Sequence, residues 1–287
     1  MNISKWLKEN TSELCGRRVV ISGSTGGLGR ELCRYIASLG GELILLDRNS
    51  ERSEGLIAEL RRDFPNLCAT HLRADMSDME SVRAVADKLS TINIDYLILN
   101  AGAYSIPRHT CDTGFDNVFQ INFISPYYLA RKLLPGIESR GGRLVAVGSI
   151  AHNYSKIDEG DIDFSTRRQA SLVYGNAKRF LTYSLFALDS PAVSVTHPGI
   201  SFTGITNHYP KLIFALIKHP MKIIFPHPRV ACLSILKGLF TDCKPGEWIG
   251  PVLFDVWGRP RKKPLRTATS AEAAKIAEIA EKIYKKL

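Results

Sequence analysis

With 287 residues, 45% of them hydrophobic and 23% charged, the chain has the length for one sizeable α/β domain or two small ones and the composition of an ordinary globular protein. No run approaches the ~20 uninterrupted apolar residues that a bilayer-crossing helix needs. The net charge of +10 is partly gathered at Arg259, Arg261, Lys262, Lys263, Arg266, Lys282, Lys285 and Lys286, without interleaved aromatics, so no nucleic-acid partner is expected.

The first residues, Met1 to Cys15, show neither an apolar signal core nor a small-residue cleavage site, which leads to a cytoplasmic expectation with peripheral contact to acidic lipid headgroups as a further option. Ile3, Trp6 and Leu7 make a small helical stripe expected to pack on its own domain. The six cysteines are dispersed, and Cys33 and Cys232 sit among apolar helical neighbours as small core residues. The seven histidines are scattered too, with no HExxH, so no protein-held metal is expected.

Short aliphatic runs alternate with segments of helical period. Strands are predicted at Val19–Ser22, Leu43–Asp47, Cys68–Arg73, Tyr96–Asn100, Leu144–Gly148, Val193–Thr196 and Trp248–Leu253. Helices are predicted at Gly27–Leu39, Glu51–Asp63, Met79–Leu89, Phe115–Leu134, Gln169–Ala187, about Arg229–Phe240 and about Ala271–Leu287. That succession reads as βαβ units: a single-domain, Rossmann-type doubly wound parallel α/β sheet of about seven strands with helices on both faces. We divide it into an N-terminal helical extension (1–14), the dinucleotide-binding domain (15–260) with a substrate lid at about 204–228, and a basic helical tail (261–287).

After the first strand comes Ser22-Gly23-Ser24-Thr25-Gly26-Gly27-Leu28-Gly29, with Gly23, Gly27 and Gly29 in G-x-x-x-G-x-G spacing. A turn without side chains lets backbone N–H groups and a helix N-terminus approach a pyrophosphate. Asp47 closes the second strand, where an acid can accept from adenosine ribose hydroxyls and favours NAD, whereas Arg48 beside it could pair with the 2′-phosphate of NADP. Of the two the carboxylate is given more weight. Asp75 could reach the adenine or simply cap a helix, and Asn100-Ala101-Gly102 lets the chain pass close to the cofactor.

In Tyr174-Gly175-Asn176-Ala177-Lys178 the phenol and the ammonium stand four residues apart on one helix face. A phenol titrates near ~10, and a neighbouring Lys⁺ would lower that and make Tyr174 a usable proton shuttle. Ser149 ends a strand, where its hydroxyl can bond a substrate oxygen. Asn122 can hold a water linking Lys178 to solvent. His152 and His197 flank the same strands and are expected to be structural rather than substrate contacts.

These stretches, with Leu99-Asn100-Ala101-Gly102, Gln120-Ile121-Asn122-Phe123, Gly148-Ser149-Ile150-Ala151-His152 and His197-Pro198-Gly199-Ile200-Ser201-Phe202-Thr203, resemble the short-chain dehydrogenase/reductase family over about residues 15–260. The resemblance implies that Tyr174 is the acid/base, Ser149 polarises the substrate oxygen, Lys178 binds the nicotinamide ribose and Asn122 completes the proton relay. It also implies that Pro198, Gly199 and Thr203 close over the nicotinamide. Ser22, Leu99 and Gly148 depart from the usual Thr, Asn and Ser without removing a reacting group. The long spacing from Ser149 to Tyr174, with the insert His152 to Leu172, and the stretch Cys111–Asp116 look like the retinol dehydrogenase and WW-domain oxidoreductase branch.

That branch implies a small lipophilic alcohol, ketone or aldehyde as substrate, and homodimers or homotetramers are common in the family. The apolar stretch around Leu212-Ile213-Phe214 and Ile223-Ile224-Phe225 suits a greasy lid, a packed helix or a membrane-interface segment. The acidic run Asp158, Glu159, Asp161 and Asp163 is expected to be a solvated loop. The rival expectation is a catalytically silent dinucleotide-binding sensor or scaffold. A sugar-nucleotide isomerase would need a larger C-terminal domain.

Overall fold

A computed structural model describes residues 2–199 and 226–287. Its single sheet has eight strands: β1 (Arg18–Ser22), β2 (Glu42–Asp47), β3 (Ala69–Arg73), β4 (Tyr96–Leu99), β5 (Arg143–Val147), β6 (Val193–Thr196), β7 (Glu247–Leu253) and β8 (Trp257–Pro264). They lie in the order β3-β2-β1-β4-β5-β6-β7-β8, all parallel except the antiparallel β7–β8 pair. The order reverses between β1 and β4, and loops leaving neighbouring strands in opposite directions open a crevice at their carboxyl ends.

The helices, in chain order, are α1 (Ile3–Asn10), α2 (Gly27–Ser38), α3 (Ser50–Asp63), α4 (Met79–Ser90), α5 (Asn117–Phe119), α6 (Ser125–Glu138), α7 (Ala170–Phe186), α8 (Pro228–Ala231), α9 (Leu233–Gly238) and α10 (Ser270–Tyr284). A π-helical turn, Gln120–Ile124, joins α5 to α6, and a 3-10 turn, Ile150–Asn153, follows β5.

Alternating strand residues face opposite layers. Val20, Leu97 and Leu144 pack toward α4, α6, α7 and α10, whereas Val19, Ile21, Ile98 and Val145 pack toward α1, α2, α3 and α9. Both faces are covered, which is why the inner strands are almost continuous apolar runs. Trp6 of α1 is buried in the second layer, and Cys33 and Cys232 are core residues there. α10 lays Ile276, Ile279, Ala280 and Ile283 on the first layer.

One edge strand, β8, joins the seven that were expected. β8 carries Gly258, Pro260 and Pro264 among five charged or aromatic residues, a composition that reads as loop. As the antiparallel edge of the sheet it tolerates prolines that an inner strand could not. The boundary drawn between 260 and 261 therefore falls inside a strand. The predicted helix at Phe115–Leu134 is broken into three by the π-helical turn, and the one near Arg229–Phe240 is two short helices. Among the described residues no helix is long and apolar enough to cross a membrane, and no cluster of three or more His, Cys, Asp or Glu could hold a metal.

Candidate active site

The crevice at the strand-order reversal is built by the turn after β1. Gly23 has φ 69°, and a Cβ there would lie 2.8 Å from the Ala101 Cα of the loop leaving β4. A Cβ on Gly29 would overlap the Gly23 carbonyl oxygen and stand 2.7 Å from the Ser24 Cα, so α2 can start this close to the turn only as glycine. The Asn100 side chain donates to the carbonyls of Ser22 (3.1 Å) and Gly23 (2.9 Å), while Ser22 Oγ accepts the N–H groups of Asn100 and Ala101. The N-cap of α2, Gly26, supplies no side-chain bond, so the first N–H groups of the helix, at Gly27, Leu28 and Gly29, keep their donors for an anion. A glycine cradle facing an uncapped helix N-terminus fits a pyrophosphate.

Asp47 already has partners within the protein. It is buried, and its carboxylate accepts from Ser24 Oγ, from Thr25 N and Oγ1 (3.4 and 3.3 Å) and from Ser53 Oγ (3.2 Å). It ties the glycine turn and α3 to β2, and a ribose hydroxyl would have to share oxygens that the turn already uses. Arg48 beside it is exposed. Asp75 is half-buried and accepts from Ser77 N (2.9 Å) and Ser77 Oγ (2.6 Å), while the cap of α4 is Asp78.

Opposite this turn, α7 carries Tyr174 and Lys178. Lys178 is buried, its Nζ donates to the Val147 carbonyl at 2.9 Å and lies 5.7 Å from the centre of the Tyr174 ring. The predicted pair thus shares one space, but its electrostatics differ from expectation. Desolvation pushes the Tyr174 phenol up to about 12, against an opposing hydrogen bond to Ser149, and the same burial pushes the Lys178 ammonium down to about 8. Burial is the largest influence on the phenol, which stands as a protonated acid at neutral pH.

Gly175 explains how Ser149 reaches Tyr174: a Cβ there would overlap the Ala151 carbonyl oxygen, so glycine lets the 3-10 turn press against α7. Ser149 caps that turn, its Oγ accepting from Ala151 N at 3.2 Å. Asn122 lies fully buried in the π-helical turn, an irregularity often found at functional sites. Its amide donates to the carbonyls of Ala103 (2.8 Å) and Val118 (2.9 Å), and its Oδ1 accepts Ala103 N at 3.3 Å. A Cβ on Gly102 would lie 2.8 Å from that Oδ1 and 3.6 Å from Lys178 Nζ, so Gly102 keeps the two groups beside the same gap.

The site wall next to Tyr174 is apolar: Tyr104 meets it edge-on at 5.4 Å, and Ile106, Val118, Phe164, Leu172 and Val173 complete the cluster. The acidic run is solvated only at its start, where Glu159 is exposed. Asp163 is buried and accepts Asp116 N at 2.7 Å, and Asp161 accepts from Ser165, Thr166 and Arg167. These carboxylates fold the insert back on itself, and Asn176 fastens it to α7 by donating to the Ile162 carbonyl at 2.7 Å. Pro198 and Gly199 follow β6, Gly199 with φ 79°; Thr203 and residues 204–225 of the expected lid lie outside the described residues. His152 and His197 both pack against Trp248, the latter stacked at 5.3 Å with burial pushing its imidazole down to about 3.

A short chain dehydrogenase family model matches residues 17–159, and retinol dehydrogenase 12 of Mus musculus is 30% identical over 206 residues, 68% of this chain and 65% of its own length. The chain belongs to the short-chain dehydrogenase/reductase family. Other members similar to it are the short chain dehydrogenase resG of Aspergillus sclerotiorum, 36% identical over half of this chain and 44% of its own, and the polyprenol dehydrogenase of Mus musculus, 28% identical over 67% and 62%. The chain therefore spans about half to two thirds of the length of these curated relatives. Among solved structures, an uncharacterised protein of Mycobacterium paratuberculosis superposes with TM-score 0.74 over 96% of this chain and 95% of its own at 24% identity. A short-chain dehydrogenase of Sphingobium yanoikuyae in complex with NADPH does so with TM-score 0.59 over 77% and 84% at 22% identity. Both share the fold of this short-chain dehydrogenase/reductase.

Sequence reasoning passed over Gly175, Arg179 and Thr267. Gly175 lies inside the motif and could have been found by asking why a helix would carry glycine at its catalytic turn. Nothing local marks the other two.

Proposed function

We propose that this chain is an NAD(P)-dependent oxidoreductase that interconverts a carbonyl and an alcohol on a lipophilic substrate, with Tyr174 as the acid/base. The observation that carries the reading is the ring of Tyr174 beside Lys178, with Ser149 acting on its phenol, across the gap from a glycine cradle shaped for a pyrophosphate. The nicotinamide, when bound, supplies or accepts the hydride. Gly23, Ser24, Thr25, Gly27, Leu28 and Gly29 hold the phosphates through backbone donors, and Lys178 holds the ribose hydroxyls next to the ring. Asn100, Ala101, Gly102, Pro198 and Gly199 border the cofactor.

In the reductive direction Ser149 Oγ donates to the carbonyl oxygen and fixes it. Tyr174, kept protonated by its desolvated surroundings, delivers the proton to the same oxygen as negative charge develops there. Lys178 and Asn122 connect the phenol to the gap beside Gly102, from which the proton is replaced. The apolar wall at Tyr104, Ile106, Phe164 and Leu172 excludes water and favours a greasy substrate, in keeping with the names of the retinol and polyprenol dehydrogenases among the relatives. NAD is the preferred cofactor, because Asp47 places a buried carboxylate at the end of β2 where a 2′-phosphate would be repelled.

The test is turnover of NADH and NADPH on retinoids, polyprenals and aryl ketones. Tyr174→Phe is expected to lower kcat by about 100-fold or more with cofactor affinity unchanged. Full activity of that variant removes Tyr174 from the reaction, and cofactor binding without any turnover would favour a sensor.

A further inference from the structure

Ser149 is joined to the C-terminal segment by a polar chain that the reaction does not use, buried at His152 and Tyr183 and reaching the surface at Thr267. His152, fully buried three residues after Ser149, places Nδ1 2.5 Å from the Ser149 carbonyl oxygen and Nε2 2.8 Å from Thr267 Oγ1. Thr267 Oγ1 lies 2.6 Å from the Tyr183 hydroxyl, which in turn accepts Thr267 N at 3.2 Å. A carbonyl can only accept, so Nδ1 carries the hydrogen. Burial holds His152 below its ordinary titration range, the Arg179 charge adding to it against the bond to Ser149, so the ring is neutral and Nε2 is an acceptor. The Thr267 hydroxyl must then donate to Nε2, and the Tyr183 hydroxyl to Thr267. Each hydrogen in the chain has one place.

The framework around it is equally fixed. Arg179 follows Lys178 on α7 and is buried; it donates to the carbonyls of His152 (2.9 Å) and Thr267 (2.8 Å) and to both carboxylate oxygens of Glu272 in α10 (2.8 and 2.6 Å). The His152 ring meets Trp248 of β7 edge-on at 5.4 Å. The Ser149 carbonyl receives two donors, His152 N at 3.1 Å and Nδ1, so the backbone that aims Ser149 Oγ is held through the imidazole.

We propose that His152 is a positioning residue for Ser149 and that Thr267, in the segment between β8 and α10, selects its tautomer, so that the C-terminal segment completes the active site. Without the Thr267 hydroxyl, Nε2 loses the protein donor that fixes it as an acceptor; a tautomer with hydrogen on Nε2 turns Nδ1 into an acceptor facing the Ser149 carbonyl, and that contact breaks. The inference rests on the reading that Ser149 bonds the substrate oxygen.

The test compares wild type, Thr267→Val and Thr267→Ser by nitrogen-15 histidine NMR and by steady-state turnover of NAD(P)H on a carbonyl substrate. Wild type should show His152 protonated at Nδ1 alone. Thr267→Val should shift that tautomer and lower kcat about 10-fold, the cost of one hydrogen bond, with cofactor KM unchanged, and Thr267→Ser should restore both. An unaltered tautomer, or an altered one with unaltered kcat, overturns the proposal. Absence of turnover in wild type with a tautomer that answers to Thr267 sinks the reaction but supports the Thr267–His152 link. Should Thr267→Val not fold, His152→Asn, which keeps a donor at the Nδ1 position, should retain about 10-fold more activity than His152→Gln, which places it at the Nε2 end. Equal activity of those two also overturns the proposal.

Discussion

The two walls of the crevice are built by different means. The cofactor wall, from Gly23 to Gly29 and Asn100 to Gly102, is held chiefly by missing side chains that let backbones touch, with Asn100 bonded to Ser22 and Gly23 and Ser24 to Asp47. The catalytic wall, from Ser149 to Lys178, is held by buried polar side chains that reach as far along the chain as Thr267 and Glu272. A wall made mainly by backbone contact is most sensitive to an added atom; one made mainly by polar pairs is most sensitive to the loss of a partner.

The largest effect should come from breaking a distant pair. Arg179→Met leaves Glu272 without its partner and is expected to cost about 3 kcal/mol, read as a lower urea midpoint at unchanged slope. The pH response gives the sign. Burial alone would raise Glu272, but Arg179 overcomes it and holds the carboxyl below its ordinary value. The stabilisation is therefore present above the unfolded value of about 4.3 and lost as pH falls through the lower folded value. Arg179→Met should lack that acid limb.

On the other wall, Gly29→Ala should weaken cofactor binding by about 10- to 100-fold in a fluorescence titration, because the methyl displaces the Gly23 carbonyl or the start of α2 at a cost of about 1–3 kcal/mol. Fold stability should change less than in Arg179→Met, and the reverse ranking would erase the contrast between the walls. A smaller effect concerns Lys178. Pushed down to about 8 by burial, it is charged below that pH, so reductive turnover should decline above it in a pH–rate profile. A flat profile to pH 9 would show that the ammonium's charge is not used. The smallest change should follow Asp47→Asn, which removes charge but keeps hydrogen bonding; the preference for NADH over NADPH, as a ratio of kcat/KM, should fall by about 10-fold or less.

The same contrast explains what could be read from the sequence. The glycine turn, the strand that precedes it and the Tyr174–Lys178 spacing are local patterns with a local cause, and the sheet follows from the alternation of aliphatic runs with helical ones. Asp47 was visible as a residue but not in its use, since nothing in the order of residues says that Ser24 and Ser53 would occupy its oxygens. β8 was hidden by its glycine and prolines, which only an edge position permits. The raised phenol of Tyr174 was hidden because desolvation depends on what packs around it. Thr267 and Arg179 carry no signal at all, and His152 was visible but not its partner: the pair His152–Thr267 is separated by 115 residues.

The most direct measurement is single-turnover transfer from a reduced cofactor carrying deuterium at the reactive C4 position, followed in wild type and in Tyr174→Phe. Deuterium should appear on the product's carbinol carbon in the wild-type reaction, and transfer in the variant should slow by about 100-fold or more with the cofactor bound as tightly as before. Equal rates in the two proteins, or bound cofactor that never yields its label, would contradict the account.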